Sequence, residues 1–199
     1  MECHRNGNKE RGLGYELGFV KEKCMFYFVR HGETDYTERG TKIYQGHGTN
    51  LAPLSETGIG QIKKAAKDIR LQEANLILCS SYTRAVQSAA ILSKELGLEI
   101  RIETDLHEWV ANDLYIYEDD HTAEKAYEEY VKNKGVHPDS GCRWEDAATI
   151  RRRVLPVLQK YADVPKVIVI GHGMMIEAVT GVPHPNCGEI VPFSLVGKE

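Results

Sequence analysis

No apolar run in this chain approaches the roughly 20 residues that a membrane-crossing helix needs. The opening segment, MECHRNGNKERGLGYELG, is polar and glycine-rich and shows no secretory apolar region. There is no C-x-x-C pair either. The five cysteines, Cys3, Cys24, Cys79, Cys142 and Cys187, are scattered and odd in number. A zinc site or disulfide framework is therefore not expected, and reduced thiols in a cytoplasmic protein are. A surplus of positive charge is also missing: 25 Lys and Arg stand against 29 Asp and Glu, for a net charge of −4. With no long basic run, this excludes an electrostatic nucleic-acid binder. Apolar residues are not scarce, at 42% of 199, which excludes a disordered chain. The length suits one compact domain.

What is present is an alternation. Residues 25–29 (MFYFV), 75–79 (NLILC), 98–102 (LEIRI) and 166–170 (KVIVI) read as buried strands. Residues 55–70 place Ile59, Ile62, Ala66 and Ile69 on one helical face, and residues 83–96 do the same with Ala85, Ala89, Leu92 and Leu96 before Gly97. Residues 145–161 predict a further helix with Pro156 inside it, and a last short strand is expected within 189–196. Strands alternating with helices predict a three-layer α/β/α sandwich around a mostly parallel sheet, with residues 111–141 as a helical insertion. The polar residues 1–24 are expected to form a flexible extension ahead of a domain spanning 25–199.

In such a sheet the carboxyl ends of parallel strands share one edge, and ligands bind in the crevice outside it. The first strand runs into Arg30-His31-Gly32-Glu33-Thr34 and the second into Ser80-Ser81-Tyr82-Thr83-Arg84. Glu108 follows the third, and Gly171-His172-Gly173 ends the KVIVI strand. Two Arg, two His and a carboxylate converging on one crevice suit phosphoryl transfer. Two guanidinium forks can hold and neutralise a phosphate. Their charge keeps a neighbouring imidazole neutral, and a neutral imidazole can attack phosphorus. A second histidine can donate to the phosphoryl oxygens. A carboxylic acid can protonate the leaving oxygen and then activate water. The glycines beside His172 would let the backbone approach an anion at the start of a helix.

The stretch FYFVRHGET, with YQG at 44–46, PLSETGIGQ at 53–61, CSSYTRAVQSA at 79–89, LHEW at 106–109 and VIVIGHG at 167–173, resembles the histidine phosphatase superfamily, also called phosphoglycerate mutase-like. The resemblance runs from residue 25 to about 196. It implies that His31 is the phosphorylated nucleophile, Arg30 and Arg84 the phosphate clamp, His172 the electrophilic histidine and Glu108 the proton donor. Gln45 and Gly46 resemble the loop across the pocket mouth, and Thr34 is placed at the edge of the phosphate site. No metal and no cofactor are implied. The expected activity is hydrolysis of a small phosphate monoester. A phosphomutase and a non-catalytic phospho-ligand binder are the alternatives. Thr37, His107 and the loop between Gln45 and Pro53 depart from the family pattern where substrate identity is set. The long basic insertion of glycolytic mutases is missing, which favours a phosphatase.

Other readings stay open at this point. Asp105, Asp113 and Glu103 are rival carboxylates to Glu108. Trp109, Tyr115 and Tyr117 either line the pocket or pack the insertion against the body. Glu118-Asp119-Asp120 reads as a solvated acidic turn. Arg151-Arg152-Arg153 reads as a solvated helix face, with Arg153 able to pair with an acidic neighbour. Cys79 reads as a small buried residue.

Overall fold

Five strands form one sheet in the order β3-β2-β4-β1-β5. They are β1 (Met25–Arg30), β2 (Leu76–Cys79), β3 (Ile100–Ile102), β4 (Lys166–Gly171) and β5 (Ile190–Phe193). The computed structural model from which these are read describes residues 24–41 and 48–195. The extension expected at residues 1–24 thus lies outside the described residues, except Cys24. So do Gln45 and Gly46. The β1–β4, β4–β2 and β2–β3 pairings are parallel, and only β5 runs antiparallel, against β1.

The central strands alternate between two cores. Phe26, Phe28, Leu76, Leu78, Val167 and Val169 point to one face. Val29, Ile77, Cys79, Ile168 and Ile170 point to the other. Strands that are apolar on both sides need helices on both sides. The first core is completed by α5 (Ala147–Lys160) and α6 (Gly173–Thr180), and the second by α2 (Glu56–Ala65) and α3 (Thr83–Leu96). This is the expected three-layer α/β/α sandwich. Its helical insertion contains α4 (Asp120–Lys132), and a single turn, α1 (Gly48–Leu51), precedes α2.

Helix boundaries follow side-chain caps. Ser55 accepts from the Gly58 amide at the start of α2, Asp119 from Thr122 at α4, and Asp146 from Thr149 at α5. Gly97 ends α3 in the left-handed region, as expected. The expected helix over 55–70 is shorter, because Ala66 closes α2 and Asp68 caps a separate 3₁₀ turn over Ile69–Leu71. Ile69 is consequently 80% exposed, and Leu71 takes the core position instead. The acidic run 118–120 is also more than a solvated turn. Glu118 accepts from Asn112, Asp119 caps α4, and Asp120 pairs with Arg39 across the sheet edge. Cys79 is fully buried, and burial raises its thiol to about 11.

Candidate active site

Each functional side chain sits just past a strand's carboxyl end. His31 follows β1, and its ring is buried with two hydrogen bonds that define its protonation. Nδ1 lies 2.7 Å from the Gly32 carbonyl oxygen, which can only accept. Nδ1 therefore carries the hydrogen, and Nε2 presents a lone pair, to which Arg84 Nε donates at 3.1 Å. Burial first, then the Arg84 and more distant Arg30 charges, push the His31 imidazole down to about 3, against the opposing pull of the Gly32 carbonyl. His31 is neutral at any physiological pH.

Gly32 owes its identity to close packing. A Cβ there would lie 2.4 Å from the Gly58 carbonyl oxygen, so α2 presses directly on the His31 turn. The Gly32 amide also donates to Ser88 Oγ at 3.3 Å, and that hydroxyl donates to the Arg84 carbonyl at 2.8 Å. One buried serine thus ties the His31 turn to the first turns of α3.

Arg84 lies in the first turn of α3 and is 2% exposed. Its Nη1 donates to the Thr49 carbonyl at 2.5 Å, and its guanidinium stands 5.1 Å from the Tyr82 ring centroid. Arg30 donates through Nη1 to the Pro185 carbonyl at 2.7 Å, while its buried Nε has no partner among the described residues. His172, at the start of α6, is fully buried with its ring centroid 5.0 Å from that of His31. Its Nε2 is 2.8 Å from Ser80 Oγ, and Nδ1 has no partner among the described residues. Burial, then the Arg84 charge, holds it well below the usual histidine range.

Glu108 reaches the same place from the third strand. Its carboxylate accepts from the Trp109 amide at 2.8 Å, from Met175 at 3.2 Å and from Met174 at 3.4 Å. The last two are free amides of the first turn of α6, where a carboxylate is favoured. This corrects the expectation that a phosphate would use that helix terminus, because Glu108 already occupies those amides. The glycines beside His172 likewise make room for neighbouring side chains. A Cβ on Gly171 would meet Met175 Cε at 2.0 Å, and one on Gly173 would meet the His184 ring at 2.6 Å.

The rival carboxylates lie elsewhere. Glu103 accepts from Tyr161 and Lys160, and Asp105 and Asp113 are exposed. Thr34 makes an isolated antiparallel bridge with Leu54, and its buried Oγ1 has no partner among the described residues. Trp109 packs edge-on against Tyr127 and Tyr130 of α4, so it fastens the insertion. Tyr117 is exposed, whereas the Tyr115 hydroxyl lies 3.2 Å from His107 Nε2.

Ser80, Tyr82 and His184 at the site were not singled out from the sequence, whereas His107 was, as a departure from the family pattern. Ser80 partners His172, Tyr82 packs edge-on to His172 at 5.1 Å, and buried His107 stacks on Tyr82 at 6.3 Å. The strand-end position of Ser80 and Tyr82, shared with Arg84, was the available signal. His184 had none, since it follows α6 by four residues and reaches Gly173 only through the fold. Beside Arg84, a cleft of about 350 Å³ opens between Thr83, Leu51, Pro53, Asp35, Thr37 and Arg39. Among the described residues, no group of three or more His, Cys, Asp or Glu is disposed to hold a metal ion, and no helix is long and apolar enough to cross a membrane.

A sequence model described as the histidine phosphatase superfamily (branch 1) matches residues 26–182. Agropine synthesis reductase of Rhizobium rhizogenes is 31% identical over 183 residues, covering 84% of this chain. The chain spans only about 39% of that protein's length. Among solved structures, a mycobacterial glucosyl-3-phosphoglycerate phosphatase superposes with a TM-score of 0.62 at 19% identity, covering 85% of this chain and 89% of the other. A phosphoglycerate mutase from Bacillus anthracis gives 0.60 at 16% identity, covering 86% and 88%. At these identities the two structures speak for the fold.

Proposed function

Because the chain belongs to the histidine phosphatase superfamily, branch 1, we propose that it hydrolyses a small phosphate monoester through a phosphohistidine on His31. One observation carries this reading. His31 is buried, neutral and held as the Nδ1–H tautomer, with its Nε2 lone pair beside the Arg84 guanidinium and the His172 ring. That is a nucleophile aimed at a site of positive charge.

An incoming phosphate takes the Arg84 Nε–H from His31, and Arg30 Nε offers a second buried donor. Nε2 attacks phosphorus, the N–P bond forms, and the P–O bond to the leaving group breaks with its electron pair moving to oxygen. Glu108, as the acid, delivers its proton to that oxygen and releases the alcohol. His172 accepts from Ser80 at Nε2 and donates from Nδ1 to the phosphoryl oxygens, where transition-state charge accumulates. In the second step the Glu108 carboxylate takes a proton from water. The water oxygen attacks phosphorus, and the N–P pair returns to His31. The two guanidiniums and His172 take the charge-stabilising part that a cation would otherwise supply.

Release of inorganic phosphate from 4-nitrophenyl phosphate tests the reading. His31→Ala should lower turnover at least about a thousandfold, since its loss removes the covalent route. Substantial residual turnover would exclude the phosphohistidine. Retained phosphate with no net release, but transfer to an added alcohol, would indicate the mutase instead.

A further inference from the structure

Arg153, on the second turn of α5, is spent entirely on protein oxygens. Nε and Nη2 fork onto the two oxygens of Glu145 at 2.6 and 2.9 Å. Nη1 donates to the carbonyls of Asp105 at 2.5 Å and His107 at 2.9 Å, and Nη2 donates to that of Glu108 at 3.4 Å. All five N–H bonds of the guanidinium are thereby committed, and none is left for a phosphate. The pair is deeply placed, with side-chain exposure of 10% for Arg153 and 2% for Glu145.

Such a pair is a poor investment in stability alone. Desolvating both charges offsets most of their attraction, and apolar residues of similar volume serve a core as well or better. What apolar residues cannot do is bind three backbone carbonyls in a four-residue stretch that has left the sheet. That stretch ends at Glu108, whose carboxylate is fixed separately by the amides of Trp109, Met174 and Met175. Glu108 is therefore held from both sides, by Arg153 at its backbone and by α6 at its carboxylate.

We propose that Arg153, locked by Glu145, is the positioning residue for the proton donor Glu108. The proposal rests on the hydrolase reading above. A general acid works only if its proton lies within hydrogen-bond reach of the leaving oxygen, and small displacements are costly. Positioning of an acid has a signature that general support of the fold lacks. An alkyl leaving group needs the proton, whereas 4-nitrophenolate leaves readily without it.

The experiment compares kcat and KM of the full chain on β-glycerophosphate and 4-nitrophenyl phosphate for Arg153→Lys, Glu145→Gln and Glu108→Gln. Removing acid assistance is worth a factor of about 10² to 10⁴. Arg153→Lys should accordingly lose at least about tenfold more kcat/KM, which reports the leaving-group step and not the shared hydrolysis of the phosphoenzyme, on the alkyl than on the aryl ester. Glu108→Gln should show the same skew, and KM should change little. If Arg153→Lys does not fold, Glu145→Gln, which keeps the shape of the pair, carries the same comparison. Equal losses of kcat/KM on both esters in the folded variant would overturn the positioning role while leaving the hydrolase reading intact. Substantial turnover surviving in His31→Ala would instead remove the phosphohistidine route, and no phosphate release by the unmodified chain would remove the hydrolase reading.

Discussion

A histidine is a good phosphorus nucleophile only while it is unprotonated, and His31 is kept so by two independent means. Burial and the Arg84 charge disfavour the imidazolium, and the Gly32 carbonyl assigns the remaining hydrogen to Nδ1. Nitrogen NMR at pH 6 should therefore show His31 as the neutral Nδ1–H tautomer, and an imidazolium signal for it would contradict the account. His172 depends similarly on Ser80. In the proposed mechanism the Ser80 hydroxyl donates to Nε2, which leaves Nδ1, without a partner among the described residues, as the donor to the phosphoryl group. Ser80→Ala should lower kcat by about tenfold or more with KM nearly retained, because a donor used mainly in the transition state is lost or misdirected. An unchanged kcat would show that Ser80 does not set the tautomer.

Elements meet at the site through one close contact, the glycine pair of the His31 turn and α2. A Cβ on Gly58 would lie 2.1 Å from the Glu33 carbonyl oxygen, with no flexible side chain able to yield. Gly58→Ala should cost about 1–3 kcal/mol, as overpacking of a filled contact does. Urea titration reads the loss directly, and wild-type stability in the variant would show that the backbones separate freely. The strands and their catalytic ends were legible in the sequence because buried parallel strands are continuous apolar runs, as in MFYFV and KVIVI, and polar residues follow abruptly. Arg30, His31, Arg84 and His172 were found by that break. Glu108 could be chosen over its neighbours only by resemblance, since nothing local distinguishes it from Glu103 or Asp105. The end of α2 was misplaced because Ile69 keeps the helical spacing, while Asp68 captures the Arg70 amide and starts a new turn. The pairing of Arg153 with an acidic neighbour was legible, but its hold on three carbonyls was not, since these lie 45 to 48 residues away.

The whole molecule carries the same groups into its response to pH. In the folded state His31 titrates near 3 and His172 well below 6.5, so between those values the unfolded chain binds more protons than the folded one. Their contribution to stability is fully present above pH 6.5 and is lost as pH falls toward 3. Below pH 3.8 the depressed carboxylates, Asp68 near 2 among them, add a second loss of the same sign. The urea midpoint should decline already between pH 6.5 and about 5, where carboxylates contribute little, and the decline should be shallower in His31→Ala. A flat midpoint across that interval would mean that the two imidazoles are not buried as neutral groups.

The sheet order has a consequence for how the protein is made. β1 leads into His31 and precedes the other four strands in the chain, yet it pairs with β4 and β5, with Met25 opposite Lys166 and Phe26 opposite Phe193. No local hairpin can shelter Phe26 and Phe28 while translation continues. Contacts this distant in sequence form late and slowly, and an unpaired apolar strand invites aggregation in the interval. A nascent chain lacking residues 166–171 has neither β4 nor His172 beside His31. The two histidines therefore meet only after β4 has been made, and of the five strands the first is the one that waits longest for its partners.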